Sequence, residues 1–290
     1  GPFSQIVELL PGLGRANVAL NKIDALGLSL AASTPGREAD GRQAGTELDI
    51  RRWSRLDLIG ITHHHAPEGD ERPFRIGPID LTFRPGEVTF LVGGNGSGKT
   101  TLALLLLGLY QQESGSILLD GVPIDDGNRD TYRQLFSTVF CDFPLFDSLL
   151  GLEQANLDGV ARVYLERLQL ESKVRIEGGL FSTQALSQGQ RKRLALLTAY
   201  VEDRPFYLFD EWAADQDPLF RKVFYTELLP DLKARGKAVL VITHDDRYFS
   251  MADRCLRMDF GRLVECREQD GAAGANGGLS APSRVAGAGK

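Results

Sequence analysis

The sequence predicts an α/β fold built around a mainly parallel sheet, and three features of its apolar pattern support this. The short runs "VTFLV", "FYLF" and "VLVI" have the composition of strands that are buried on both faces. Helical patterns over residues 99–110 and 189–201 separate these runs, as in a parallel sheet covered by helices. The segments "LDLIGITHHH" and "GPIDLTFRPG" alternate apolar and polar residues, which predicts an additional antiparallel β subdomain.

Composition limits the classes of function that the chain can have. Its 290 residues include 33 Lys and Arg against 39 Asp and Glu, a formal net charge of −6. This balance argues against a general nucleic-acid-binding protein, so we expect no nucleic-acid partner. The three cysteines show no CxxC spacing, which predicts neither a zinc site nor a disulfide framework and favours a reducing, cytosolic setting. No apolar run reaches the roughly 18–20 residues that a membrane span requires.

The chain divides into four segments by composition. Residues 1–29 place apolar side chains at near-helical spacing, which fits either a helix packed on its own domain or a connector that enters from another apolar region. Residues 30–53 are rich in Ala, Gly, Ser and charge, and are interpreted as a linker. Residues 54–268 hold the motifs described below. Residues 269–290 form a low-complexity tail that we expect to be disordered.

A phosphate-binding loop is the most specific motif of the chain. The segment "GGNGSGKTT" follows a predicted strand and opens a predicted helix, which is the context that the P-loop motif G-x-x-x-x-G-K-[ST] requires. Its glycines allow backbone N–H groups to face phosphate oxygens, and the helix N-terminus adds a favourable dipole. We expect Lys99 to reach the β- and γ-phosphates of ATP and Thr100 to bind Mg²⁺. The predicted nucleotide-binding residues of this loop are Gly93, Gly94, Asn95, Gly96, Ser97, Gly98, Lys99, Thr100 and Thr101.

Three more polar residues come at the ends of predicted strands. Asp210 ends "FYLFD", the position at which a P-loop NTPase carries a carboxylate that holds Mg²⁺. Glu211 follows directly and is predicted to polarise the attacking water as general base. His244 ends a third buried strand, so we expect it to contact the γ-phosphate or Glu211. The sequence therefore predicts an ATPase site whose catalytic residues are Glu211, His244 and Lys99.

A second element with phosphate-binding chemistry precedes Asp210 by one helix. The segment "LSQGQ" at 186–190 places Ser and Gly where a helix begins, and N–H groups at such a terminus favour phosphate. Because one chain already has its own phosphate loop, this second element suggests that another copy of the chain supplies it in trans.

Together these motifs resemble the nucleotide-binding domain of ATP-binding cassette (ABC) transporters over roughly residues 54–266. The segment "LSQGQ" is similar to the LSGGQ signature, with Gln188 at the usual third-position glycine. The resemblance implies a RecA-like P-loop NTPase core of ABC ATPase type, joined to the antiparallel β subdomain and to an α-helical subdomain at about 145–190. In the family this helical subdomain docks on coupling helices of a membrane domain.

The resemblance also implies a partner copy. In the family, two cassettes enclose two ATP molecules head to tail, each between the P-loop of one copy and the signature of the other. The residues then expected to act on the opposing copy are Ser187, Gly189, Gln190 and Asp217.

Two positions depart from the family pattern. Cys141 stands where the register of the Q-loop places a glutamine, and cysteine is a poor Mg²⁺ ligand. The neighbouring Asp142 is therefore predicted to take part of that role at the metal; the alternative is that it only shapes the loop. The usual adenine-stacking tyrosine falls on His65, with Phe74 as the alternative.

A narrower resemblance concerns the transported molecule. The segments "DEWAADQDP", "LFSTVFCDFPLFDSLLG" and "THDDRYF" are similar to exporters of cyclic peptides and peptide siderophores, which include pyoverdine-precursor, syringomycin-type and lasso-peptide exporters. Most other ABC exporters carry something close to "DEATSALD" in place of the first segment. In this group a six-helix membrane domain precedes the cassette in the same chain. Residues 1–29 are then expected to be the connector helix at its end, with the cassette on the cytoplasmic face of the bacterial inner membrane.

Two other functions remain open. One is a non-transport ABC ATPase, although the tandem cassettes, long coiled-coil insertions and basic faces typical of that group are not evident in the sequence. The other is a regulatory module that binds ATP without turnover, and the presence of Glu211 and His244 argues against it.

Overall fold

The computed structural model describes residues 48–65, 74–141, 145–149 and 156–265. All of them belong to one of the two compact units of the chain, which begins at Leu48. The predicted connector at 1–29, most of the predicted linker and the predicted tail lie outside the described residues, as does Asp142. Within the described ranges, no helix combines the length and apolarity that crossing a bilayer requires.

The centre of the fold is a six-stranded sheet in which all strands but one edge strand run parallel. In spatial order the strands are β12 (Arg262–Glu265), β11 (Arg254–Asp259), β3 (Val88–Val92), β10 (Ala238–Ile242), β9 (Phe206–Asp210) and β6 (Phe136–Val139). The three strands predicted as doubly buried are β3, β9 and β10, which lie next to one another in the middle. Their carboxyl ends meet at one edge, and this edge carries the predicted site.

Helices cover both faces of this sheet, and they were predicted only in part. The α-helices are α1 (Lys99–Leu106), α2 (Arg129–Arg133), α3 (Leu157–Arg167), α4 (Gln188–Glu202), α5 (Pro218–Val223) and α6 (Leu229–Ala234). A π-helical stretch, Phe224–Leu228, joins α5 to α6. Short 3₁₀ turns, Trp212–Asp215 and Asp246–Met251, follow β9 and β10. In the described part of the predicted helical subdomain lie α3 and a small hairpin of β7 (Ile176–Glu177) and β8 (Leu180–Phe181).

The alternating side chains of β9 show how the sheet is buried on both sides. Phe206 and Leu208 belong to one hydrophobic cluster, which contains α1 and the antiparallel sheet. Tyr207 and Phe209 belong to a second cluster, which contains α4 and α5. Since the side chains of a strand alternate between faces, both faces of β9 are covered and its apolar run is continuous.

The predicted antiparallel subdomain is a four-stranded sheet in the order β2 (Phe74–Phe83), β1 (Leu56–His65), β4 (Ser114–Leu119) and β5 (Val122–Pro123). It packs on the α1 face of the central sheet. The predicted fold class, an α/β P-loop core with an antiparallel β subdomain and a helical subdomain, is confirmed.

The described end of the predicted linker, residues 48–53, contributes to the core. Leu48 and Trp53 are buried in the cluster that also holds Phe206, and the Trp53 ring stacks on Phe206 with the ring centroids 6.0 Å apart. The packed core therefore includes two large apolar side chains from this Gly- and Ser-rich stretch and begins before residue 53.

Candidate nucleotide-binding site

The phosphate loop connects β3 to α1, and its backbone requires glycine at two points. Gly93 has φ +148°, and a Cβ there would lie 2.3 Å from the carbonyl oxygen of Met258. Gly98, at the start of α1, has φ +104°, and a Cβ there would lie 2.9 Å from Cδ1 of Ile76. Any larger residue would therefore displace the loop from the sheet that carries it.

Lys99 is held at the base of this loop. Its side chain is buried, and Nζ donates hydrogen bonds to the carbonyl oxygens of Gly93 and Gly94, at 2.9 Å each. The ammonium group thus lies inside the curve of the loop rather than in solvent. This places a positive charge at the base of the loop that lines the cleft.

The loop has the features that a triphosphate needs. The Ser97 hydroxyl is buried and has no hydrogen-bond partner among the described residues. Cβ atoms added at Gly94 or Gly96 would meet nothing within 4 Å, so the loop surface is open at both positions. A phosphate group would supply acceptor oxygens for Lys99, Ser97 and the loop N–H groups, so the residues present fit the group.

Two aromatic residues stand beside this loop. A cleft of about 440 Å³ is lined by Phe74, Asn95, Gly96, Ser97, Gly98, Lys99, Thr100, Thr101, Tyr110 and Glu211. Phe74 lies close enough to the loop that a Cβ on Gly98 would be 3.1 Å from Cε1 of its ring. Tyr110 follows α1 and packs against His63 with the two rings tilted by 31° and their centroids 5.4 Å apart. Phe74 was the alternative to His65 for stacking adenine, and the sequence interpretation missed Tyr110.

Two of the predicted Mg²⁺ ligands, Thr100 and Asp210, are in contact. The Thr100 hydroxyl donates a hydrogen bond to Oδ2 of Asp210 at 3.0 Å. Asp210 is 2% exposed, and burial raises the pKa of its carboxyl above its ordinary value, while the Thr100 hydrogen bond offsets part of that rise. A hydroxyl and a carboxylate are hard oxygen donors of the kind that Mg²⁺ prefers, and a cation there would favour the ionised acid.

Glu211 and His244 form the second part of the site. Oε1 of Glu211 lies 2.9 Å from Nε2 of His244, although the two residues are 33 positions apart in the chain. Glu211 has a left-handed backbone, φ +50°, and its N–H donates to the carbonyl oxygen of Ile242 at 3.0 Å. This conformation turns its side chain out of the buried strand, and Glu211 also lines the P-loop cleft. The prediction that His244 reaches Glu211 agrees with this geometry.

The signature segment lies elsewhere. Among the described residues that line the P-loop cleft, none comes from residues 186–190. The Ser187 hydroxyl caps α4 by accepting a hydrogen bond from the backbone N–H of Gln190, and the Gln190 side chain accepts one from the N–H of Ser187. The local hydrogen bonds of a capping box therefore hold Ser187 and Gln190 at the start of α4, outside the cleft that the phosphate loop lines.

Asp217 is also held by its own chain. Its carboxylate caps α5 through the N–H of Phe220 at 2.9 Å and pairs with Arg193 of α4. The hydrogen bond from the Phe220 N–H and the charge of Arg193 lower the pKa of Asp217. The side chain is still 53% exposed, so it can be reached from outside while its orientation is fixed.

The structure thus brings together the loop 93–101, Asp210, Glu211 and His244, and it places Ser187, Gly189, Gln190 and Asp217 in a separate group. The roles of Asp142 and His65 stay predictions. Asp142 lies outside the described residues. Only the backbone of His65 is described, and it pairs with Phe74 between β1 and β2. A second pattern escaped the sequence interpretation. Side chains of α4 form hydrogen bonds with side chains of the segment that follows Glu211. The order of these motifs along the sequence does not predict such bonds.

Comparison with known proteins places the phosphate loop and the signature in one family. Residues 76–214 match the family model for the ABC transporter. The chain belongs to the ABC transporter family. The fold agrees: a dimeric ATP-binding cassette MJ0796 bound to ADP and Pi has a TM-score of 0.61 at 21% identity, over 73% of this chain and 99% of that chain.

Two curated relatives align with most of the present chain. The ATP-binding protein SyrD of Pseudomonas syringae pv. syringae is 46% identical over 91% of this chain and 47% of its own length. A mycobactin import ATP-binding/permease protein, IrtB of Mycolicibacterium thermoresistibile, is 32% identical over 91% of this chain and 45% of its own length. The chain thus spans about half the length of the curated relatives it matches.

Proposed function

We propose that this ABC cassette hydrolyses ATP with Mg²⁺ and thereby powers an exporter. The observation that carries the proposal is the contact between Glu211 and His244 at 2.9 Å, at the edge of a cleft that contains Lys99 and Thr100. A carboxylate that is oriented by a second side chain and lies beside a phosphate loop has the geometry of a general base for water.

Each polar group of this cis site has a separate role in the proposed reaction. The loop N–H groups and Lys99 bind the phosphates and neutralise charge that develops on them. Thr100 and Asp210 would hold Mg²⁺, which would supply positive charge to offset that of the phosphates. Glu211 accepts the proton of the attacking water, while His244 fixes the direction of the Glu211 carboxylate.

The proposed active form contains two copies in a head-to-tail arrangement. Exposed Ser187 and half-buried Gly189 and Gln190 lie at a helix N-terminus and do not line the cleft of their own chain, so we expect them to bind the ATP of another copy. The solved structures of MJ0796 that are similar in fold are described as dimeric. Asp217, exposed beside Arg193, would contact the partner in this arrangement.

A membrane domain is the second proposed partner, and a groove beside α4 offers a docking surface. The groove has a volume of about 370 Å³ and is lined by Thr138, Val139, Phe140, Leu145, Phe146, Ser148, Phe181, Ala195, Thr198, Ala199 and Glu202. Phe146 is 60% exposed at this groove. An exposed aromatic beside an apolar groove suits the insertion of a short helix from the membrane domain. We place this domain upstream in the same protein, at the cytoplasmic face of the inner membrane.

The proposed cargo is a cyclic peptide or a peptide siderophore precursor. The proposal rests on the sequence resemblance of "DEWAADQDP" and on the higher identity to SyrD than to the mycobactin import protein. The named import relative makes import the second candidate, because its cassette matches over the same share of this chain. ATP-driven accumulation of a fluorescent cyclic peptide inside inverted membrane vesicles carrying the complete transporter supports export; ATP-driven release from preloaded vesicles supports import.

The ATPase proposal is tested by Glu211→Gln, which removes the base and keeps the shape of the side chain. We expect phosphate release by the 290-residue chain to fall about a hundredfold or more, within the range for general-base loss. ATP affinity should stay within about twofold, because the phosphate contacts of Lys99 and the loop persist. Size-exclusion chromatography with Mg-ATP should show more dimer for this variant than for the wild type.

The matched control is Glu227→Gln, an identical change at an exposed glutamate on the π-helical stretch. It should leave turnover and affinity unchanged. Equal turnover of Glu211→Gln and the wild type would refute the proposed base and favour a module that binds ATP without hydrolysis.

A further inference from the structure

Two positions that depart from the common ABC pattern meet in space. Gln188 stands at the usual third-position glycine of the signature, and Asp215 stands at the second alanine of "DEATSALD". Nε2 of Gln188 donates a hydrogen bond to Oδ2 of Asp215 at 3.0 Å. This bond joins the N-terminus of α4 to the 3₁₀ turn Trp212–Asp215, across 27 positions of sequence. Each departure thus supplies the other with a partner.

A buried lysine completes this contact. Lys192, one turn further along α4, has a side chain that is only 1% exposed. Its Nζ lies 2.7 Å from the same Oδ2 of Asp215 and donates to the backbone carbonyl oxygen of Glu211 at 3.3 Å. A buried ammonium needs a charged partner, and Asp215 is the carboxylate that lies within ion-pair distance of Lys192 among the described residues. Lys192 therefore connects the acid that holds Gln188 to the backbone of the proposed base.

The backbones of the two elements also approach closely. Nε2 of Gln216 donates to the carbonyl oxygen of Gly189 at 3.1 Å. A Cβ at Gly189 would lie 3.1 Å from the carbonyl oxygen of Asp215, closer than nine in ten real Cβ contacts. The indole N–H of Trp212 donates to the carbonyl oxygen of Lys192 at 2.9 Å. The signature segment and the turn after Glu211 are therefore packed as one unit.

We propose that Gln188, Lys192 and Asp215 are positioning residues that link the signature segment to Glu211 within one chain. In this proposal the signature segment binds the ATP of the other copy and shifts when it does so. The link transmits this shift through Asp215 and Lys192 to the backbone of Glu211. Occupation of the partner's site thereby sets the orientation of the base in the chain's own site. The transmission step rests on the proposed ATPase function, whereas the link itself does not.

The link is tested by reversing its central hydrogen bond. Gln188→Glu places two carboxylates against each other, and Asp215→Asn removes the charge that compensates Lys192. In Gln188→Glu/Asp215→Asn, an amide at 215 donates to a carboxylate at 188, and Lys192 again faces a negative charge. Each single variant should raise the ATP concentration for half-maximal turnover about fivefold or more, a size usual for residues in contact. The double variant should return it to within about twofold of wild type.

Hydrogen–deuterium exchange of residues 186–190, without nucleotide, reports on the link independently of catalysis. Each single variant should speed exchange there about fivefold or more, and the double variant should restore protection. Gln188→Gly removes the amide without adding charge, so it should also speed exchange, and it replaces Gln188→Glu if that variant fails to fold. Gln184→Glu, the same change at a nearby exposed residue, is the matched control and should alter neither readout.

The outcomes separate this inference from the proposed function. The link would be overturned if the effects of the two single variants on the half-maximal ATP concentration simply multiplied in the double variant. It would also be overturned if Gln188→Glu and Gln188→Gly left hydrogen–deuterium exchange of residues 186–190 unchanged. A wild-type chain that shows no ATP turnover would refute the proposed function, and with it the transmission step, while the exchange experiment would still decide the link. Restored exchange without restored half-maximal ATP concentration would overturn the transmission step alone.

Discussion

Two regions of the molecule hold their polar side chains in different ways. One is the P-loop edge of the sheet, and the other is the signature surface, which comprises the start of α4 (residues 187–193) and the segment 212–217. At the P-loop edge, Glu211 contacts His244, and the buried Ser97 hydroxyl has no partner among the described residues. At the signature surface, Arg193 and Gln216 are bonded to each other and to neighbouring groups. The first region offers groups to a ligand. The second uses its groups to hold a fixed surface, which is the arrangement expected if that surface meets a partner as a preformed unit.

Two aspartates of one short stretch show the same contrast. Burial raises the pKa of Asp210 in the P-loop region, and the Phe220 N–H together with Arg193 lowers the pKa of Asp217 in the signature region. The ionised form of Asp210 thus costs stability, and the ionised form of Asp217 contributes it. An acid that destabilises its own fold is typical of a site arranged for a cation rather than for packing.

The largest effect is expected from Lys99→Ala in the P-loop region. Loss of the ammonium that lies inside the loop should reduce turnover about a hundredfold or more, as for removal of one preorganised transition-state donor. Hydrogen exchange at residues 186–190 should not change, because Lys99 has no described contact with the signature segment. Phosphate release and exchange measured on the same samples check both, with Lys222→Ala, at an exposed helical lysine, as the control.

Arg193→Ala should lower the stability of the fold and leave ATP affinity largely unchanged. Arg193 donates to Gln216, pairs with Asp217 and lies over the Phe220 ring, 3.7 Å from its centroid. Its loss leaves the buried amide of Gln216 short of a partner, so the free energy of unfolding should fall by about 2–3 kcal/mol. Urea unfolding measures this, and Arg191→Ala on the exposed side of α4 should cost far less. A comparable loss of ATP affinity would contradict the separation of the two regions.

Asp210→Asn should reduce turnover less than Lys99→Ala does, while it stabilises the fold at neutral pH. Because the folded pKa of Asp210 is raised, wild-type stability falls as pH rises from the unfolded value through the folded value. The amide can still accept from Thr100 and carries no charge to bury. The melting temperature of the variant should exceed that of wild type at pH 7, with the difference narrowing toward acid pH. A lower melting temperature at pH 7 would show that the ionised acid is favourable there.

The smallest effect is expected from Asp217→Asn. Asparagine is also a good helix N-cap, so the change mainly removes the exposed pair with Arg193 and should cost less than about 1 kcal/mol. Since the folded pKa is lowered, the contribution of Asp217 is complete above the unfolded value and is lost as pH falls through the folded value. Melting curves across pH should therefore converge for variant and wild type at low pH. A difference that persists there would assign the effect to packing.

Local patterns predict a P-loop, two acids and a histidine as site residues, and the structure brings these residues to one edge of the sheet. Gly93, Gly98 and Lys99 stand in a fixed spacing, and strands that are parallel neighbours bring Asp210, Glu211 and His244 to one edge. Tyr110 was not predicted as a cleft residue. It stands just beyond the P-loop helix in the sequence, but no spacing rule places it at the cleft. The burial of Leu48 and Trp53 depends on a distant strand and was not predictable from a Gly-rich context.

The sequence by itself determined the family, the nucleotide loop and the identity of the proposed base, because these depend on residue type at fixed short spacings. Only the tertiary structure decided the partners of Gln188, Lys192 and Asp215, because their contacts join the start of a helix to a turn on the far side of a strand. Side-chain pairing over such separations follows from packing rather than from local periodicity. The acids of "FYLFDEWAADQDP" therefore divide into two groups: Asp210 and Glu211 lie at the P-loop edge of the sheet, and Asp215 and Asp217 pair with side chains of α4 at the surface that we propose faces another copy.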